Sequence, residues 1–229
     1  MTKNSRFAVY YAPPRHSDLA GFGATWLGWD ATAGAETAHP TVPGLDVAAI
    51  TATPRKYGFH GTLKPPFRLA EGLTVQELER AVRDVAQVVP AFEAPALAVR
   101  RLGCFLALVP SRPCPELAGL AARCVRDLDR FRAPAPKAEL DRRRQAGLSP
   151  TQEKNLTSWG YPYVLDEFRF HLTLSGRLET DMADRVLAAL TPLTSAFCEA
   201  PLPIEEICLF AERPDARFEE IDRYRLRRA

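Results

Sequence analysis

Apolar and polar positions alternate with period two from Phe168 to Ser175. Phe168, Phe170, Leu172 and Leu174 fall on one side, and Arg169, His171, Thr173 and Ser175 on the other. Such alternation marks a half-buried strand, expected here from about Glu167 to Ser175. A related pattern runs through residues 54–68. There Tyr57, Phe59, Gly61 and Leu63 share one face and Lys56, Gly58, His60, Thr62 and Lys64 the other. Pro65-Pro66 is expected to end that strand. Arg6–Ala12 is β-branched and aromatic and reads as a short strand closed by Pro13-Pro14. Helical spacing takes over elsewhere. Ser17 is placed to cap a helix reaching about Asp30, with Leu19, Phe22 and Trp26 on one face. Thr74 and Glu77 form a capping box ahead of Leu78, Val82, Val85 and Val89. Leu117, Leu120, Cys124, Leu128 and Phe131 make a further stripe, and Ser149-Pro150 with Gln152 opens a short helix ending near Trp159-Gly160. A helix over 181–193 and strands at 97–109 (bent at Gly103), 204–210 and 217–225 complete the reading. Residues 31–44 read as loop.

The two alternating stretches share a frame. Phe59-His60-Gly61-Thr62-Leu63 recurs as Phe170-His171-Leu172-Thr173-Leu174, although the chain has only four histidines. The echo extends outward, because Phe92-Glu93-Ala94-Pro95 and Phe197-Cys198-Glu199-Ala200-Pro201 follow at similar distances. Two copies are too few for a solenoid. They read as two copies of a strand–helix–strand unit and imply a pseudo-symmetric pair of lobes with a cleft between them. The whole chain, 1–229, is then a single bilobed domain with approximate lobes 1–110 and 111–229, between which strands can be exchanged.

Composition narrows the function classes. The apolar fraction of 46% and charged fraction of 25% are those of a globular protein, and a net charge of +2 argues against a long nucleic-acid footprint. Five cysteines without metal-ligand spacing read as free thiols in a reducing compartment. No run long and apolar enough for a membrane span occurs, and the expected location is the cytoplasm. His16 and His39 read as loop histidines without a role in chemistry.

The repeated frame carries the chemistry. A strand sets residues i and i+2 on one face, so each copy places an imidazole beside a hydroxyl. Two imidazoles can act as general base and general acid in one displacement. One takes a proton from the attacking oxygen while the other protonates the leaving oxygen. Thr62 and Thr173, with Lys64 and Arg169, are then candidates to hold non-bridging phosphoryl oxygens. Such a pair gives a bell-shaped rate profile between about pH 5.5 and 8. The scheme requires no cofactor and no metal, and the histidine faces carry no carboxylate or thiolate that would complete a metal site. Tyr161 and Tyr163, beside Trp159, are candidates for a wall that stacks on a base or sugar. Lys56 shares the cationic face of the first motif, and the run Arg142-Arg143-Arg144, within the charged segment 132–148, is a candidate lip over an anionic substrate.

At these residues the chain resembles the 2H (two-histidine) phosphoesterase superfamily, which includes the 2′-5′ RNA ligase-like proteins and cyclic nucleotide phosphodiesterases. Residues Tyr57–Phe67, Trp159–Tyr163 and Phe168–Leu174 are similar to the branch found alongside carbon–phosphorus lyase genes and associated with phosphonate metabolism. The resemblance implies a bilobed α+β fold, a pseudo-two-fold duplicated unit with antiparallel sheets lining a central cleft and helices outside, and metal-independent opening or closing of cyclic phosphates. His60 and His171 would be the acid–base pair, and Thr62 and Thr173 the phosphate holders. It implies as partner a small phosphorylated sugar or nucleotide. One candidate is a ribose cyclic phosphate with a 5-phosphate, whose extra anionic group would give Lys56, Arg55 and the Arg142–Arg144 run a role. RNA ends and a non-catalytic phosphate-binding role are the competing expectations.

Overall fold

The computed structural model describes residues 5–228. The elements, in chain order, are β1 (Arg6–Tyr11), α1 (Asp18–Leu27), β2 (Trp29–Asp30), β3 (Ala35–Glu36), α2 (Val47–Arg55), β4 (Gly61–Arg68), α3 (Val75–Val88), β5 (Phe92–Ala94), β6 (Leu97–Leu102), β7 (Phe105–Pro110), α4 (Pro115–Asp127), α5 (Lys137–Arg144), α6 (Pro150–Trp159), β8 (Leu172–Thr173), α7 (Thr180–Thr194), β9 (Leu202–Ile204), β10 (Glu206–Glu212) and β11 (Phe218–Arg225). The fold is α+β. Its centre is a seven-stranded sheet in the order β11-β10-β1-β4-β8-β7-β6, antiparallel at every pairing.

The two motif strands, β4 and β8, are neighbours in the middle of this sheet. The hairpin β6–β7, which follows the first motif in sequence, flanks the second motif. The hairpin β10–β11, which follows the second, lies on the side of the first through β1. The two echo segments meet as well: β5 pairs with β9, Glu93 facing Pro203, just past Pro201.

Alternation along β1 feeds two cores. Phe7, Val9 and Tyr11 join Leu78, Val82 and Val85 of α3 and Leu117, Leu120 and Cys124 of α4 in the larger one. Ala8 and Tyr10 point the other way and meet Trp29, Phe210 and Phe218. Polar caps fix the helix starts. Ser17 accepts from the Ala20 N–H at 3.2 Å, and full capping boxes open α3 at Thr74/Glu77 and α6 at Ser149/Gln152.

Several expected boundaries move, each for a local reason. Helix α1 stops at Gly28 instead of near Asp30. Gly28 takes φ +74°, and the His39 ring packs where a Cβ would stand. Helix α2 falls in a stretch rich in β-branched residues and ends over Pro54, so its sequence carried little helical signal; Asp46 caps it by accepting from Ala49 at 3.0 Å. The first motif strand starts only at Gly61, since Pro54 and Arg55 belong to α2 and Gly58 turns the chain at φ +74°. It also continues through Pro65-Pro66 to Arg68 instead of ending there. Between Thr62 (opposite Tyr10), Lys64 (opposite Val9) and Phe67 (opposite Phe7), β4 slips twice against β1, and the prolines sit at the second slip, where the ladder is already broken. The second motif keeps its expected alternation, with Phe170, Leu172 and Leu174 buried and His171 and Thr173 half-buried. Only Leu172–Thr173 pairs as strand, however, because Leu165–Glu167 turns as a 3-10 helix and His171 bonds back to its own chain.

Candidate active site

A single register sets the centre of the site. β4 and β8 pair at Gly61 opposite Leu172. One step along this antiparallel pairing in each direction sets His60 across from Thr173 and Thr62 across from His171. In register the histidines are therefore crossed with the threonines, although the hydroxyl in contact with His60 is that of its own motif, Thr62. Two cavities reflect this crossing. One, of about 250 Å³, is lined by His60 and Thr173, the other, of about 470 Å³, by His171 and Thr62, and Phe105 borders both.

The residues between and before the histidines hold the register. Gly61 is small because the Phe170 ring lies beneath it; a Cβ there would fall 2.4 Å from the ring. Phe59 packs in the same way against Gly23 of α1, where a Cβ would meet its ring at 2.1 Å. Each Phe of the repeated frame is thus a buried anchor one residue ahead of its histidine.

Both imidazoles are oriented by the same device. His60 Nδ1 lies 2.9 Å from the Gly58 carbonyl, and His171 Nδ1 lies 2.7 Å from the Arg169 carbonyl. A carbonyl oxygen only accepts, so each Nδ1 carries the proton and each neutral ring keeps its lone pair on Nε2. Thr62 donates to His60 Nε2 at 3.2 Å. Burial pushes His60 down to about 4, against the raising effect of the Gly58 carbonyl, and His171 nearby lowers it further. Burial also lowers His171, again against its carbonyl partner. Near pH 7 both rings are therefore neutral bases. An anionic ligand favours the protonated form of a neighbouring imidazole and supplies what converts one of them to an acid.

The pattern along the chain did not point to Tyr10, yet this side chain contacts the centre directly. Its ring stacks on His60 with centroids 3.8 Å apart and planes 27° from parallel. It is buried, and it arrives because β1 pairs Tyr10 with Thr62. The one available signal was its place on the side of β1 opposite Phe7, Val9 and Tyr11.

Among the expected cations, Lys64 is a correction. The slip at Leu63 turns Lys64 to the side of Val9, away from His60 and Thr62. It is 2% exposed, its Nζ donates to the Val125 carbonyl at the end of α4 at 3.1 Å, and Asp129 lies 3.5 Å away. Lys56 is not on a strand. It follows α2 on the surface with its ammonium 5.1 Å from the Tyr57 ring. Arg55 turns inward to the Leu27 carbonyl. Arg143 and Arg144 are engaged by Glu139 and Glu153, whereas Arg142 is exposed. Arg169 does lie at the site, lining the larger cavity with His171. Tyr161 and Tyr163 line that cavity too, edge to face at 5.8 Å, with the Arg143 guanidinium 4.7 Å over Tyr161. Arg177, absent from the expected set, lines the smaller cavity with His60. His39 is structural: its Nδ1 donates to the Trp26 carbonyl at 3.0 Å. Among the described residues no three His, Cys, Asp or Glu side chains gather as metal ligands, and no helix is long and apolar enough to cross a membrane.

A family model described as a protein of unknown function (DUF1045) matches residues 62–219. The chain is 37% identical over 227 residues to the ribose 1,5-bisphosphate phosphokinase PhnN of Janthinobacterium sp. (strain Marseille), covering 96% of this chain and 50% of that protein. It is 34% identical over 212 residues to the protein of the same name from Laribacter hongkongensis (strain HLHK9), covering 92% and 49%. The chain thus spans about half the length of the curated relatives it matches. Among solved structures it is similar to E. coli LigT complexed with 3′-AMP (TM-score 0.46, 15% identity, 97% and 98% covered) and to apo E. coli LigT (TM-score 0.48, 14% identity, 99% and 100% covered).

Proposed function

This chain belongs to the DUF1045 family, and we propose that it is a metal-independent phosphoesterase of the two-histidine type that opens the cyclic phosphate of a small phosphorylated sugar. The observation that carries this reading is the crossed arrangement of His60 with Thr173 and His171 with Thr62 about the Gly61–Leu172 pair. It offers two imidazoles with Nε2 lone pairs, that of His60 already met by the Thr62 hydroxyl at 3.2 Å, and two hydroxyls to one phosphoryl group.

In the proposed reaction one Nε2 removes a proton from water. The water oxygen bonds to phosphorus, the bond from phosphorus to one ring oxygen breaks, and the other imidazole, protonated, gives its proton to that oxygen. The products are a phosphate monoester and a free hydroxyl. Thr62 and Thr173 donate to the non-bridging oxygens and Arg169 offsets their charge.

The relatives' name supports a choice of substrate, since it specifies ribose 1,5-bisphosphate. Ring opening produces that compound only from a ribose 1,2-cyclic phosphate that carries a 5-phosphate, and only if the bond to O2 breaks. Such a reaction would place the protein in phosphonate metabolism, directly before a phosphokinase step. A second reading, a nucleoside 2′,3′-cyclic phosphate such as an RNA end, is favoured by the Tyr161–Tyr163 wall of the larger cavity. Turnover of both cyclic substrates in the presence of chelator, with the product identified by phosphorus NMR, decides between them. Opening of the ribose 1,2-cyclic 5-phosphate to ribose 1,5-bisphosphate is expected. Turnover of the nucleotide alone favours the second reading, and turnover of neither rejects both.

A further inference from the structure

The smaller half of the cleft holds a cation that the acid–base chemistry leaves without a task. Arg177 lines the same cavity as His60 and Thr173. The backbone around it is tied down on both sides. The Gly176 N–H donates to the Ile50 carbonyl at 2.8 Å, and the Leu178 N–H donates to the Cys104 carbonyl at 2.7 Å. Ser175 adds two bonds: its hydroxyl accepts from the Leu106 N–H at 2.9 Å and donates to the Gly176 carbonyl at 2.9 Å. The Arg177 side chain is exposed, and among the described residues nothing engages its guanidinium. Other arginines near the fold's acidic groups are occupied: Arg6 by Glu212, Arg143 by Glu139, and Arg223 by Glu220 and Glu206. An unoccupied planar fork of donors matches a phosphate in a bidentate contact.

The two halves of the cleft differ in what they can take. The larger, of about 470 Å³, is walled by Tyr161 and Tyr163 and holds Arg169. The smaller, of about 250 Å³, is bordered by Thr53, Pro54 and Tyr57 and holds Arg177. The reacting diester needs the four groups at the centre. The smaller half lies on the His60 side of the centre, and although Tyr57 and Phe105 also line it, Arg177 is the one cation among its described lining residues besides the imidazole. We propose that Arg177 forms a second anion subsite that reads a terminal phosphate monoester on the substrate. The inference deepens, and rests on, the cyclic-phosphate reading above.

The test compares ribose 1-phosphate with ribose 1,5-bisphosphate by titration calorimetry, using the full chain as wild type, Arg177→Gln and Arg177→Lys. The pair isolates the contribution of the second phosphate, and unchanged circular dichroism confirms that the variants are folded. The wild type is expected to bind the bisphosphate tighter by about tenfold or more, a preference that Arg177→Gln loses and that Arg177→Lys, a point charge without the fork, restores in part. Equal preference in wild type and Arg177→Gln, or no preference in the wild type, overturns the subsite. Turnover measured on the same samples keeps the two claims apart. Arg177-dependent binding without ring opening leaves the subsite standing and rejects the catalytic reading. Ring opening with a substrate preference unaltered in Arg177→Gln does the reverse.

Discussion

Replacing Lys64 with methionine separates a structural lysine from a phosphate-holding one. Lys64 is 2% exposed, and burial brings its ammonium from 10.5 down to about 8, despite Asp129 nearby. Between those two pH values the unfolded chain holds the proton more tightly than the folded one. Stability therefore rises as pH rises through the window, at about 1.4 kcal/mol per pH unit and about 3 kcal/mol over the full width. Methionine fills a similar volume and carries no proton, so it lacks this increment. Asp129 keeps its paired bonds from Arg132 at 2.8 and 3.0 Å, and the Val125 carbonyl loses one donor. Urea unfolding of both proteins at about pH 7.5 and about pH 10 is the assay, and the variant's stability relative to wild type is expected to fall by about 2 kcal/mol between them. Its kcat/KM on a cyclic phosphate at neutral pH should stay within about threefold of wild type, whereas loss of a transition-state phosphate contact costs on the order of a hundredfold. Parallel stability curves would refute the burial argument. A hundredfold loss of activity with unaltered stability would return Lys64 to the cleft.

Other consequences concern the site itself. With burial lowering both imidazoles, His60 to about 4, the kcat/KM profile of the wild type should peak between about pH 4 and 6.5, more acidic than unperturbed histidines would give. Tyr10→Leu removes the stacked ring and admits water to His60. This raises the imidazole toward its ordinary value, so the acid limb of the profile should move to higher pH, and an unmoved limb would contradict the role assigned to the stack. Gly61→Ala places a Cβ 2.4 Å from the Phe170 ring. Overpacking of this kind costs about 1–3 kcal/mol, so both the melting temperature and kcat should drop, since displacing Phe170 moves His171. An unchanged melting temperature would show that the ring yields freely.

Much of this site was legible because the chemistry repeats. The paired frame singled out His60, Thr62, His171 and Thr173, and the structure brings the two frames side by side on β4 and β8; capping residues located α3 and α6 by side-chain geometry confined to four residues. What was not legible depends on register between distant segments. Strict alternation put Lys64 with His60, but a one-residue slip flips every later side chain, and no residue type announces the slip at Leu63. Tyr10 reaches His60 only through the β1–β4 pairing, fifty positions away in sequence. Arg177 carries no local signal, because its place in the cleft is set by hydrogen bonds from its neighbours Gly176 and Leu178 to Ile50 on α2 and to Cys104 in the β6–β7 turn. The basic run 142–144 looked like one patch, yet carboxylates contributed by α5 and α6 occupy two of its three members.

The most direct test of the central claim is the chelator-treated rate of cyclic phosphate opening by wild type, His60→Ala, His171→Ala and the double variant. An acid–base pair acting as a unit predicts that each single variant loses at least about a hundredfold in kcat, and that the double variant is scarcely worse than the weaker single one. Substantial turnover surviving in either single variant, or wild-type activity that vanishes with chelator and returns with a divalent metal, would contradict it.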